Sequence, residues 1–135
     1  MNPINRYVQI VLVDTSHPGN IGSVARAMKN MGLANLILIN PKKFPHQDAV
    51  ALAGNATDVL DNAKIFTSIQ EAVKNSKVIY ATSARDRAIE WPTMSARDAA
   101  LEMQELVMNK IQVSILFGRE DRGLTNEELK LANKH

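Results

Sequence analysis

The sequence predicts an α/β protein, a parallel sheet with helices on both faces. Three observations point there. Short runs such as LILI at 36–39 are apolar throughout, so they read as strands buried on both sides, which parallel sheets require. Segments with helical spacing alternate with these runs, as βαβ units do. Polar and glycine residues crowd the segments that follow strands, 14–22, 40–45, 83–87 and 118–123. In open parallel sheets, ligands bind outside the carboxyl ends of the strands.

Each element has its own local reason. YVQIVLVD at 7–14 is rich in β-branched residues and reads as the first strand. Residues 20–31 follow with helical spacing: Ile21, Val24, Ala25, Met28 and Met31 form one apolar stripe. Asn20 is the expected N-cap, leaving free amides able to hold an anion or a carbonyl. The second strand spans 36–40 and stops at Pro41. Residues 48–60 are helix-like with a break near Gly54-Asn55, and 64–66 form a short strand. A helix over 68–75 has Ser68 as cap and Glu71 three residues on, a capping box. VIYATS at 78–83 is a strand, and 95–109 a helix with Ser95 as cap and Asp98 in its first turn. QVSILF at 112–117 is the last strand, and Thr125 with Glu128 opens a final capped helix.

The 135 residues suit one domain with a sizeable core. The chain has no Cys, which excludes a disulfide framework, a thiolate nucleophile and a Cys-based zinc site. His17, His46 and His135 are scattered without metal-ligand spacing, so no metal is expected. No apolar run approaches the ~20 residues that cross a bilayer, and the first residues lack a basic start and a cleavage site. A cytoplasmic protein without membrane partners is the expectation. The net charge is only +2, but the positive excess lies early: Arg6, Arg26, Lys29, Lys42 and Lys43 face Asp14 alone within residues 1–43.

The loops narrow the chemistry. Gly22, Ser23, Arg26 and Asn30 share a helix face, where small residues one turn from an arginine would admit a ribose-phosphate or another subunit. A solvated arginine on a capped helix explains that pattern equally well. Gly19 and Gly22 give only part of a dinucleotide fingerprint, and no acid follows the second strand, so a nicotinamide cofactor fits poorly. Small hydroxyl residues at Thr82 and Ser83 leave room for a ligand. Gly118 and Gly123 permit a tight loop lined by backbone, and Glu120 inside it stands between Arg119 and Arg122, which favours its ionised form.

Taken together, NIGSVAR at 20–26, ATSARDR at 81–87 with Trp91-Pro92, and LFGREDRGLTNEEL at 116–129 resemble the SPOUT superfamily of RNA methyltransferases. The resemblance is to its SpoU-like branch, nearest the bacterial tRNA 2′-O-methyltransferases that act on cytidine or uridine 32 of the anticodon loop. It implies an α/β fold with a trefoil knot, a homodimer, tRNA as substrate and S-adenosyl-L-methionine as methyl donor. It assigns the catalytic arginine to Arg26, site-shaping to Asn20, the acidic residue of the second motif to Glu120, and cofactor contacts to Thr82, Ser83, Ala84 and Gly118. A non-catalytic RNA-binding or dimerisation module of the same fold is the alternative. The family's third motif, which completes the knot, would come after LANKH at 131–135. Residues 1–135 therefore read as a single domain truncated before that motif.

Overall fold

The structure, a computed structural model, describes residues 6–82, 96–120 and 123–133. Among the described residues are five strands and six helices, most of the strands separated by helices. In order they are β1 (Val8–Val13), α1 (Pro18–Asn30), β2 (Asn35–Ile39), α2 (Gln47–Ala53), α3 (Thr57–Asp61) and β3 (Lys64–Phe66). Then come α4 (Ile69–Ala72), β4 (Val78–Ala81), α5 (Ala96–Met108), β5 (Val113–Phe117) and α6 (Asn126–Leu129). The break expected near Gly54 divides one helix pattern into α2 and α3, and Gly54 takes a left-handed φ of 59° there.

The sheet is parallel throughout, in the order β3-β2-β1-β5-β4. Leu12 lies opposite Leu38 on one side and Phe117 on the other. Alternate residues of each strand feed two cores. Ile10, Leu12, Leu36, Leu38 and Val113 pack on α1, α2, α3 and α5. Val11, Val13, Ile37, Ile39 and Leu116 pack on α4, Leu124 and α6. Each such Leu or Ile, buried fully, stabilises the fold by about 1.5–3 kcal/mol before chain entropy is counted. Ser114 is fully buried on the second face, and its hydroxyl is satisfied by Gln9 Nε2 at 2.9 Å and Ser76 Oγ at 2.6 Å.

Both sheet margins are blunted. β3 is three residues long and begins with Lys64. At the β4 margin, Asn133 N–H donates to the Ile79 carbonyl at 2.9 Å, and Ile79 N–H donates to Asn133 Oδ1 at 2.8 Å.

Two local expectations change. The first helix begins at Pro18, with His17 in the cap position making no side-chain cap bond. Asn20 therefore lies inside the first turn rather than at the cap. A proline suits the first helical position, because its φ is already helical and its missing N–H would have no partner there. The face of Gly22 is also not open to a partner. A Cβ on Gly22 would stand 2.1 Å from the Ala49 carbonyl oxygen, so α2 packs directly on the α1 backbone. Thr125 and Glu128 complete both bonds of their box, as the sequence pattern predicts, whereas of the box expected at Ser68 only the bond from Glu71 N–H to the Ser68 hydroxyl, at 3.2 Å, is formed. The expected cap Ser95 lies outside the described residues.

Candidate active site

The strand order reverses between β1 and β5. The chain leaves β1 for α1 on one face of the sheet and leaves β5 for α6 on the other. The two loops come together at the carboxyl ends of the strands, the end where open α/β sheets bind their ligands in a crevice. Polar side chains of both loops meet there.

The β1 loop is shaped by Asp14, which adopts a left-handed φ of 53° while its N–H donates to Ile39 at 2.9 Å. Short polar residues tolerate that conformation best. The chain then turns through buried Thr15 to Ser16 and the start of α1. The β5 loop is closed on itself: Arg119 and Gly123 exchange backbone hydrogen bonds of 3.2 and 2.8 Å. Gly118 makes this closure possible, since a Cβ there would sit 2.1 Å from the Gly123 carbonyl carbon and 2.2 Å from Leu124 N.

Glu120 joins the two loops. Its Oε2 accepts from the Ser16 hydroxyl at 3.0 Å and from the Ser16 amide at 3.4 Å. Partial burial works to raise its pKa, but its own backbone amide, Ser16 and Asn20 donate to the carboxylate and hold the pKa below the ordinary value. The ionised form is favoured as expected, but not by flanking arginines. Arg119 turns away, and Arg122 lies outside the described residues.

Arg119 instead binds the Asp14 carboxylate through Nη2, and forms a two-pronged pair with Glu128 at 2.8 and 3.1 Å. Its Nη1 also reaches the Gly123 carbonyl at 3.4 Å. Glu128 raises the guanidinium's pKa, against the effect of burial, with Asp14 assisting. Burial works to raise the pKa of Glu128, but the bonds from Arg119 and Thr125 lower it below the ordinary carboxylate range. Sequence reasoning missed Arg119, Asp14, Ser16 and Glu128 as a set, because the pairs between the two loops span 104 or 105 positions.

Thr82 anchors the end of β4 to β5, its N–H and hydroxyl donating to the Leu116 carbonyl at 3.1 and 3.0 Å. Thr82, Gly118, Glu120 and Asn20 therefore gather at one end of the sheet. Ser83 and Ala84 lie outside the described residues. Arg26 is not drawn to these loops within the chain. It is exposed about 9 Å further along α1 than Asn20, six residues at ~1.5 Å each, with its Cδ and Nε alongside Gly54.

Among the described residues, the Arg119 guanidinium is paired with Asp14 and Glu128, and the Glu120 carboxylate is held separately by Ser16. On the far side of Asp14 a cavity of about 320 Å³ is lined by Asn40, Thr67, Gln70, Thr125 and Glu127 among others. Among the described residues no group of three or more His, Asp or Glu is arranged to hold a metal ion. No helix of the described residues is long and apolar enough to cross a membrane.

The sequence pattern of the SpoU rRNA methylase family matches residues 7–135. The chain is 51% identical over 128 residues to a protein of Pseudomonas aeruginosa named tRNA (cytidine/uridine/adenosine-2′-O-)-methyltransferase TrmJ, covering 95% of this chain and 50% of that protein. Crystallographic neighbours agree. TrmJ of Zymomonas mobilis superposes with a TM-score of 0.86 at 37% identity, over 93% of this chain and 55% of that one. A probable methylase family protein of Haemophilus influenzae superposes with a TM-score of 0.85 at 42% identity, over 95% and 53%. The chain thus spans about half the length of the relatives it matches.

Proposed function

The chain belongs to the SpoU rRNA methylase family, and from that membership we propose that it is the methyl-transferring domain of a tRNA ribose 2′-O-methyltransferase. The substrate position is the 2′-hydroxyl of cytidine or uridine 32 in the anticodon loop, and the protein acts in the cytoplasm as a homodimer. The observation that carries the proposal is the 51% identity to a protein named as a tRNA 2′-O-methyltransferase. The crevice between the β1 and β5 loops is consistent with it. The position in the anticodon loop rests on the resemblance of the 20–26, 81–87 and 116–129 segments. Exposed Val50 and Leu52 on α2 offer apolar surface to a second copy.

Bound S-adenosyl-L-methionine supplies an electrophilic methyl group on a positively charged sulfur. The ionised Glu120 carboxylate, held by Ser16 and Asn20, suits such a cation. Thr82 and Gly118, with Ser83 and Ala84, would hold the cofactor along the ends of β4 and β5.

The reaction forms one oxygen–carbon bond, breaks one sulfur–carbon bond and releases the hydroxyl proton. Little covalent help is needed, so alignment dominates. Arginine, whose guanidinium stays protonated under ordinary conditions, is a poor base. Arg26 therefore orients the ribose-phosphate and stabilises charge developing on the 2′-oxygen, while water or a neighbouring group takes the proton. Asn20 braces Glu120 at the head of α1.

The direct test incubates the protein with labelled S-adenosyl-L-methionine and tRNA. Label at a 2′-hydroxyl is expected, and its absence refutes the assignment. Replacing Arg26 by Ala separates this reading from a binding module. Catalysis predicts loss of methyl transfer with tRNA still bound, whereas a binding module shows weaker, salt-sensitive affinity and no transfer in either form.

A further inference from the structure

We propose that Arg119 is a positioning residue for this site: its guanidinium locks the β1 loop, the β5 loop and α6 together, and so sets Glu120 against Ser16. The inference rests on reading the crevice as the active site.

The guanidinium reaches four acceptor atoms of three groups, on three segments. Nη2 donates to Asp14, at the end of β1, and to Glu128 Oε2 at 3.1 Å. Nη1 donates to Glu128 Oε1 at 2.8 Å and to the Gly123 carbonyl at 3.4 Å. Asp14 stands two residues before Ser16, the partner of Glu120, and Arg119 is itself the neighbour of Glu120. Both ends of the Ser16–Glu120 bond are therefore fixed by one side chain. The planar fork is suited to that role, since a single ammonium cannot bond the two oxygens of a carboxylate in parallel while reaching a second carboxylate.

The surroundings leave the arginine little freedom. Its side chain is 21% exposed, beside Asp14 at 25% and Glu128 at 16%. Glu128 is itself immobilised, because Oε1 also accepts from Thr125 N–H at 2.7 Å in the capping box of α6. Asp14 is held in its left-handed turn by the bond to Ile39. The lock thus runs from the α6 cap, through Arg119, to the turn after β1. Glu120 is exposed, and its carboxylate is held only from the β1 side, by Ser16 and Asn20, so where its backbone stands follows from its neighbour Arg119.

Carboxyl-carbon NMR of Glu120 tests this without requiring any reaction. In Arg119→Lys the positive charge stays and the fork is lost. The Glu120 pKa is expected to rise toward the ordinary 4.5, and the Ser16 amide signal to stop following that titration. Asp14→Asn removes one arm only and is expected to give the same shift in smaller degree. In the unsubstituted protein the Arg119 guanidinium protons are expected to be resolved and slow to exchange. With labelled methyl donor, Arg119→Lys is expected to lower kcat about 10- to 100-fold with KM for tRNA little changed, the pattern of a lost alignment. A side chain that only braces the fold lowers stability and leaves the Glu120 titration where it was. That result, or fast-averaged guanidinium protons in the unsubstituted protein, overturns the proposal. Absence of methyl transfer in the unsubstituted protein instead refutes the enzymatic reading and leaves the NMR result to stand alone.

Discussion

Gly22→Ala should destabilise the protein, although helix propensity alone argues the opposite. Gly22 lies within α1, where alanine is better than glycine by about 1 kcal/mol. Against that gain stands the α2 backbone. The added Cβ would meet the Ala49 carbonyl oxygen at 2.1 Å, its carbon at 2.9 Å and its Cα at 3.1 Å, where ordinary contact begins at 3.4 Å. A backbone carbonyl cannot swing aside as a side-chain end does, so α2 must retreat by about 1 Å, a reading of that overlap. The retreat opens the contact around Ala49 and Ala53, both fully buried. Overpacking of this kind costs about 1–3 kcal/mol, occasionally more. A 2.1 Å approach to backbone puts the cost at the upper end, about 3 kcal/mol, so the net expectation is a loss of about 2 kcal/mol, enough to lower the urea midpoint visibly in a domain with ~5–15 kcal/mol of stability. Circular dichroism during urea unfolding measures it. Ser23→Ala, at the exposed neighbouring position of the same helix, supplies the control and should gain up to about 0.5 kcal/mol. If Gly22→Ala matches or exceeds the parent in stability, the close approach of α1 and α2 is wrong. Because α2 ends at Gly54, beside Arg26, the same variant is also expected to lose methyl transfer beyond its loss of folded protein.

Other outcomes follow from the same geometry. Thr125→Ala removes one half of the α6 capping box and should cost about 1 kcal/mol, read from urea unfolding, with amide exchange faster in 126–129 than elsewhere. Glu120 and Glu128 both have lowered pKa values in the folded protein, so their contribution is present above the ordinary 4.5 and is lost as pH falls through the lower folded-state values. A series of urea midpoints taken downward from neutral pH should fall there, and should fall less steeply in Glu128→Gln. Tyr80 is buried and donates to Glu102 at 2.5 Å. Burial and that carboxylate push its ionisation far above the ordinary tyrosine range. Tyr80→Phe should cost about 1.5–3 kcal/mol by thermal or urea unfolding, the worth of a hydrogen bond to a charged acceptor.

The elements were legible in the sequence wherever the cause is local. Apolar runs marked β1, β2, β4 and β5 because burial on both faces needs no alternation, and the Thr125–Glu128 spacing marked α6 because the cap is four residues long. Where two remote segments meet, the pattern was silent. Asn20 looked like a cap because its side chain suits one, yet Pro18 is pre-shaped for helix and starts α1 earlier. Gly22 looked open because a small residue marks a close approach without saying what approaches, and α2 takes that place, leaving Ser23 exposed. Glu120 was expected to answer to adjacent arginines, but Ser16 from the opposite end of the chain reaches it first. The placement of β5 between β1 and β4 likewise has no signature within any one segment.

That placement has a consequence for how the chain is made. A ribosome delivers β1, β2 and β3 early, yet β1 has no neighbour on its inner side until β5 emerges some hundred residues later. Until then Val8–Val13 presents an unpaired backbone and apolar side chains on that flank, and β4 waits equally alone. The centre of the sheet is thus its last part to close, which lengthens the interval in which a nascent chain is exposed to misassembly and to the attention of chaperones.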